Sequence, residues 1–379
     1  MEAARRRRSR QSHNRQERLR ERATTVAFRA FRARSAPQQS LASRGIFNIF
    51  LTSLTITPGD DDPESMRAWA LPLLRCLECS ATAFETRAED LRCSSCGTVY
   101  GHRGDIVDFL HRPHPAIVRE RKAVHKIDSE AGAPVDWMHA VLERLNRDQL
   151  TPDDLASSAH IRAIAESRAQ VLALFSEERL TAGSIVLEVG ADVGWASSLL
   201  LDAGCRVVAT DITDHLFLAV DGESPNLCRL FADMNRVPLA DSTVDVVFAA
   251  SCIHHSWDLA LTFREIARVL KPGGTAYLTG EPLPSWLRYV VGGQFGHKER
   301  DLGINETWIR RDVWLRECRA AGLEPRIVFP SLSDRQLNER LRKRGLPGFL
   351  GSVLRPLMST LQVSVHLRAD KARASGGMR

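Results

Sequence analysis

The stretch that most restricts the fold is "SIVLEVGADVGWASSLLLDAG", residues 184 to 204. Five residues of near-continuous apolar character end at Glu188 and Gly190, the profile of a strand covered on both faces of a parallel sheet. A glycine-containing loop follows, then a helical run closed by Gly204. The same alternation recurs downstream. "CRVVATDIT" and "VDVVFAAS" read as further strands, "DLALTFREIARVL" as a helix, "KPGG" as a turn and "GTAYLTGEP" as another strand. Strands alternating with helices predict a doubly wound α/β domain over residues 181–369, with a mostly parallel seven-stranded sheet and ligands held beyond the carboxyl ends of its strands.

The loop argues about its own ligand. A dinucleotide fingerprint requires glycines at 190, 192 and 195, and the chain has Gly190, Asp192 and Trp195. A pyrophosphate needs bare N–H groups at a helix start, and Asp192 would set a carboxylate beside it. S-adenosylmethionine carries a sulfonium and an ammonium and no phosphate, so an acidic loop suits it.

The ordered set "VLEVGADVGWAS", "VVATDI", "FADMNRVPLADSTVDVVFAASCIHHSWD" and "REIARVLKPGGTAYLTGEP" resembles the class I S-adenosylmethionine-dependent methyltransferases of the broad small-molecule type. The resemblance implies a Rossmann-like methyltransferase fold. It also implies that Glu188, Gly190, Ala191 and Gly194 form the methionine-binding loop, that Asp211 with Ile212 takes the ribose, that Asp233 and Met234 flank the adenine, and that Ser251 closes the site. Asp192 departs from the middle glycine usual in that family and bears on cofactor affinity. His254 and His255 follow a strand end at the ligand edge and are the candidate general bases, with Glu281 a further one. Related enzymes often carry a histidine pair there with only a shaping role.

Upstream, "RCLECSATAFETRAEDLRCSSCGTVYGHRGDIVDFL" places Cys76, Cys79, Cys93 and Cys96 as two C-x2-C pairs thirteen residues apart. Two such knuckles joined by a hairpin suit a tetrahedral structural Zn2+, and all four positions are filled by sulfur. Two disulfides, or a redox pair, are the competing readings; the first fits poorly without a secretory signal and the second needs no duplication. The module resembles the small zinc-ribbon activator subunit that partners several tRNA, rRNA and release-factor methyltransferases. It is expected over residues 66–112, followed by a helical connector or lid over 113–180.

Residues 1–65 hold 13 arginines against 7 acidic side chains, a surplus equal to the whole chain's net charge of +6. The extension is expected to be disordered, and translation starting near Met66 is an alternative. The formally neutral remainder lacks the basic footprint of an RNA-binding protein, which leaves nucleic acid as the weaker partner. Two elements bear on the acceptor. One is the loop of residues 283–308, and the other is the basic and then apolar stretch of residues 334–360, suited to peripheral contact with a membrane or a lipid-linked acceptor or simply to packing. The last ten residues, 370–379, are expected to form a disordered tail. No apolar run is long enough to cross a bilayer, and the scattered single cysteines are those of a reduced, cytoplasmic protein. The leading expectation is methyl transfer to a small molecule or a sugar- or lipid-linked metabolite. An RNA methyltransferase and a non-catalytic zinc-dependent scaffold are the alternatives.

Overall fold

The runs with the strongest apolar character form the centre of the sheet. A computed structural model describes residues 68–87, 90–131, 149–157, 180–213, 224–291, 297–328 and 364–373, with isolated positions between 141 and 168. These all belong to one unit, Asp62–Gln170 with Leu180–Arg379. The expectations for residues 1–65 and 334–360, and for most of the tail, lie outside the described residues, as does part of the connector.

Strands β1 (Phe84–Thr86), β2 (Asp90–Cys93), β3 (Val99–Arg103) and β4 (Ile106–Asp108) come first in the chain. They are followed by β5 (Ile185–Val189), β6 (Arg206–Asp211), β7 (Leu227–Phe231), β8 (Val244–Ala250), β9 (Leu270–Pro282), β10 (Leu323–Val328) and β11 (Ser364–Lys371). Their order across the sheet is β1-β2-β3-β4-β7-β6-β5-β8-β9-β11-β10. The order reverses between β5 and β8, which is where a doubly wound sheet opens a crevice for its ligand.

This corrects the expected seven-stranded, mostly parallel sheet: the sheet has eleven strands and is mixed. The seven strands β5 to β11 lie side by side, but β4 extends them by pairing parallel to β7, Val107 opposite Leu230 and Asp108 opposite Phe231. Strands β1 to β4 then continue as an antiparallel meander, and β10 and β11 are antiparallel at the other edge. An exposed parallel edge at β7 would leave a row of backbone groups unpaired, and β4 covers it. The "KPGG" segment expected as a turn is drawn into β9, where a register shift between Val244 and Val246 absorbs it.

The cysteine module and the α/β layers therefore share one interior. Cys76, Leu91, Cys93, Tyr100 and Phe109 are buried in the same cluster as Val208, Leu230, Leu239 and Val247. Main-chain bonds from Arg75 N to Pro238 O (3.0 Å) and from Ala240 N to Leu73 O (2.7 Å) lace the two together. Arg229, in the middle of β7, is buried and ion-paired to Asp105 of the β3–β4 turn.

Helices form where caps and stripes permit. Helix α1 (Pro115–Ala131) leaves the module. At α2 (Pro152–Ser157) Thr151 and Asp154 cap reciprocally: Thr151 N donates to Asp154 Oδ2 (2.8 Å) and Asp154 N to Thr151 Oγ1 (3.1 Å). Helix α3 (Trp195–Asp202) packs beside β5, and α4 (Leu259–Val269) starts where Asp258 accepts from Leu261 N. Its buried face of Leu259, Phe263, Ile266 and Val269 lies against the sheet. Three helices, α5 (Trp286–Val291), α6 (His297–Leu302) and α7 (Arg311–Ala320), follow β9.

Candidate cofactor site and its neighbouring histidine cluster

The loop after β5 is shaped by its backbone. Gly190 has φ +64°, and a Cβ there would stand 2.6 Å from Cys252 Cβ and 2.8 Å from its Sγ. Asp192 also sits in the left-handed region, at φ +50°, a conformation a glycine takes freely and an aspartate tolerates better than most residues. Its backbone N–H donates to Asp211 Oδ2 (2.9 Å). Asp211 Oδ1 in turn accepts from Ile212 N (2.7 Å), Thr213 N (2.9 Å) and Thr213 Oγ1 (3.0 Å). One carboxylate thus ties the ends of β5 and β6 together. Gly190→Ala is expected to cost about 2–4 kcal/mol, from the left-handed conformation and the overpacking against Cys252. Urea unfolding of the variant checks this.

Above the loop lies a cavity of about 410 Å³. Of the residues singled out in the sequence, it gathers Gly190, Asp192, Asp211, Ile212, Asp233, Met234, Ser251 and His255. Asp233 is held by Asn235 N on Oδ1 (2.8 Å) and by Trp257 Nε1 on Oδ2 (2.9 Å), and Trp257 stacks on His114 at 3.9 Å. Burial raises the pKa of both Asp211 and Asp233. The far wall comes from the connector: Ile117, Glu120 and Val124 of α1, with Ile164 and Ser167.

Glu188, Ala191, Gly194 and His254 are not in the lining. Glu188 is buried beneath the loop and accepts a short hydrogen bond from Ser197. Burial pushes its carboxyl up to about 8, with Asp211 and Asp192 adding to the rise. A carboxyl whose folded pKa exceeds its unfolded one contributes stability that is complete below about 4.5 and is lost as pH rises through about 8. Glu188→Gln is expected to flatten the fall in unfolding free energy between pH 5 and 8, on the order of 1–4 kcal/mol across that window. Denaturant midpoints at a series of pH values measure it.

The two histidines divide. His254 is buried, with Nδ1 2.9 Å from Glu281 Oε2 and Nε2 3.5 Å from Glu306 Oε2. Burial opposes its charge, yet the two carboxylates raise its pKa to about 9. Glu281 is itself fixed by the amides of Cys252, Ile253 and His254 at 3.0–3.2 Å. His255 opens onto the cavity, with Nδ1 3.0 Å from Glu120 Oε1 and Nε2 3.6 Å from Glu306 Oε2. Glu120, Glu306 and Trp257 were not singled out in the sequence. Glu120 and Glu306 come from a connector helix and a loop, and only the fold brings them to the histidine pair.

The four cysteine sulfurs all lie within 4.8 Å of one another. Cys76 and Cys96, and Cys79 and Cys93, are 3.6 Å apart. These are not disulfide distances, and they approach the edge of about 3.8 Å that four sulfurs at 2.3 Å from one ion define. The donor set fits zinc.

Residues 187–278 match the methyltransferase domain family. The matched segment runs from β5 to β9 and contains the loop, Asp211, Asp233 and the histidine pair. A probable S-adenosylmethionine-dependent methyltransferase of Mycolicibacterium smegmatis is 35% identical over 101 residues, which cover 27% of this chain and 39% of that protein. The dimethylglycine N-methyltransferase of Parasynechococcus marenigrum is 31% identical over 136 residues, covering 34% of this chain and 46% of that one. The chain thus spans less than half the length of these relatives. Among solved structures, an S-adenosylmethionine-dependent methyltransferase from Mesorhizobium loti aligns with 54% of this chain and 98% of its own, at 17% identity and a TM-score of 0.42. Over this segment the chain is similar to S-adenosylmethionine-dependent methyltransferases. No helix among the described residues is long and apolar enough to cross a membrane.

Proposed function

We propose that the chain transfers a methyl group from S-adenosylmethionine to a small-molecule acceptor, and that the four cysteines hold a structural Zn2+. The observation that carries the acceptor class is the wall built by Ile117, Glu120, Val124 and Ile164 across the cavity from the cofactor loop. A wall of this kind bounds one cavity of about 410 Å³ that must take cofactor and acceptor together, which suits a small acceptor rather than a polymer. The neutral charge balance outside residues 1–65 agrees with this.

The residues fit the cofactor. Asp211 presents a carboxylate preorganised by three backbone N–H groups to accept the ribose hydroxyls, and Gly190, whose missing Cβ lets the loop pack against Cys252, lines the cavity where the methionine portion would lie. Asp192 adds a carboxylate to the lining where an ammonium is to be bound. Asp233 and Met234 would flank the adenine. When bound, the cofactor supplies a methyl on a good leaving group, so holding the acceptor in line provides much of the acceleration. His255 stands at the acceptor wall and would receive the acceptor's proton, with the Glu120 carboxylate 3.0 Å from its Nδ1 to favour the charged ring. His254, clamped between Glu281 and Glu306, would position it.

His255→Ala is expected to lower kcat by about 10²-fold while leaving the cofactor dissociation constant nearly unchanged. Formation of S-adenosylhomocysteine tests the function itself, with hydroxylated sugars, lipid-linked sugars and small amines in one panel and RNA in another. Turnover with members of the first panel is the expected result. Turnover with RNA alone would overturn the reading.

A further inference from the structure

His254, His255 and Glu306 each place one ligand atom within 4.8 Å of the others, and of the three His255 lines the cavity while His254 and Glu306 are buried behind it. We propose that these three side chains form a second metal centre, a two-histidine, one-carboxylate site for a first-row divalent cation with an exchangeable position toward the cavity. The separations from Glu306 Oε2 to His254 Nε2 and His255 Nε2 are 3.5 and 3.6 Å. Those are long for charge-assisted hydrogen bonds, which run about 2.7–2.9 Å. They match the edge of about 3.3–3.6 Å between ligands placed 2.0–2.2 Å from one tetrahedral ion.

The surroundings are those of a ligand shell. Glu281 hydrogen-bonds His254 Nδ1 at 2.9 Å, while Glu120 Oε1 lies 3.0 Å from His255 Nδ1 without the alignment of a hydrogen bond. The Glu281 bond fixes the His254 ring and leaves its Nε2 for a metal, and the Glu120 carboxylate faces His255 Nδ1 on the side away from Glu306. Glu281 is immobilised by three amides, and Asn305 Nδ2 holds Glu120 Oε2 at 2.8 Å. Glu306 is only 5% exposed, and its Oε1 has no hydrogen-bond partner. A buried carboxylate oxygen left unpaired is costly, and a cation supplies the missing partner. Two imidazoles and one carboxylate suit zinc, iron or manganese better than magnesium or calcium. The exchangeable position lies on the side of His255, which lines the cavity, so in the metal-loaded protein the cation, not the His255 ring, would activate an acceptor oxygen by lowering its pKa, and His255 takes that proton itself only when the site holds no metal. That last role rests on the methyl-transfer reading; the existence of the site does not.

The test counts metal without turnover. Whole protein stripped with chelator is dialysed against Zn2+ and, separately, against Co2+, and bound metal is measured per chain. Thiolate-to-cobalt charge-transfer absorption reports the cysteine site alone. Wild type is expected to hold one equivalent beyond that thiolate-bound ion, and Glu306→Gln and His255→Ala are each expected to lose it while keeping the thiolate signal. The retained thiolate signal and a circular-dichroism spectrum unchanged from that of the zinc-loaded wild type show that the variants are folded. Wild type holding only the thiolate-bound equivalent, or either variant keeping the additional one, would overturn the proposal.

Discussion

Chelation of the Zn2+ proposed at the four cysteines, or Cys76→Ser, is expected to unfold the α/β domain together with the cysteine module, in one transition. Cys76 and Cys93 have no exposed surface and belong to the same buried cluster as Leu230 and Leu239. Losing the ribbon would expose the β7 edge and leave Arg229 buried without Asp105. Breaking a buried pair by removing one partner costs about 3–5 kcal/mol, and zinc held by four thiolates contributes folding free energy directly. A loss of at least about 5 kcal/mol and of cofactor binding follows, because Asp233 and Met234 come directly after β7. Thermal unfolding followed by circular dichroism, with and without chelator, checks it. An autonomous ribbon would instead melt separately and leave the main transition unmoved.

Asp211→Ala is expected to weaken S-adenosylmethionine binding by about 10²–10³-fold. Two hydrogen bonds from cofactor hydroxyls to a carboxylate are worth about 1.5–3 kcal/mol each. The substitution also removes the acceptor of Asp192 N, Ile212 N and Thr213 N, so the loop loses the tie that positions it. Asp211→Asn, which keeps the shape and one acceptor oxygen, is expected to lose less. Calorimetric titration of the three proteins measures the difference.

The central strands were readable because burial on both faces demands an unbroken apolar run, and β5, β6 and β8 show one. Strand β7 was harder to see: "LCRLF" carries Arg229 at its centre, and the charge is tolerated only because Asp105 reaches it from 124 residues away in the chain. For the same reason the joining of ribbon and sheet was invisible. Sequence spacing marks four thiolates on two knuckles, but nothing local states that β4 pairs with β7. At the site, the loop residues and Asp211 stood out through their fixed positions after strand ends. Glu120 and Glu306 did not, since a glutamate on an amphipathic helix or in a loop has the look of a solvated charge until the fold brings it to the histidine pair.

Asp192 carries the same lesson in reverse. Its carboxylate argues against a pyrophosphate, while its φ of +50° shows that the loop still takes the turn a glycine would have given. The measurement that tests the account most directly is therefore a calorimetric titration of the purified chain with S-adenosylmethionine and, separately, with NAD. Saturable one-to-one binding of S-adenosylmethionine, absent for NAD and greatly weakened in Asp211→Ala, is the expected result. Binding of neither ligand by a folded, metal-loaded chain would contradict the account and leave the domain a scaffold.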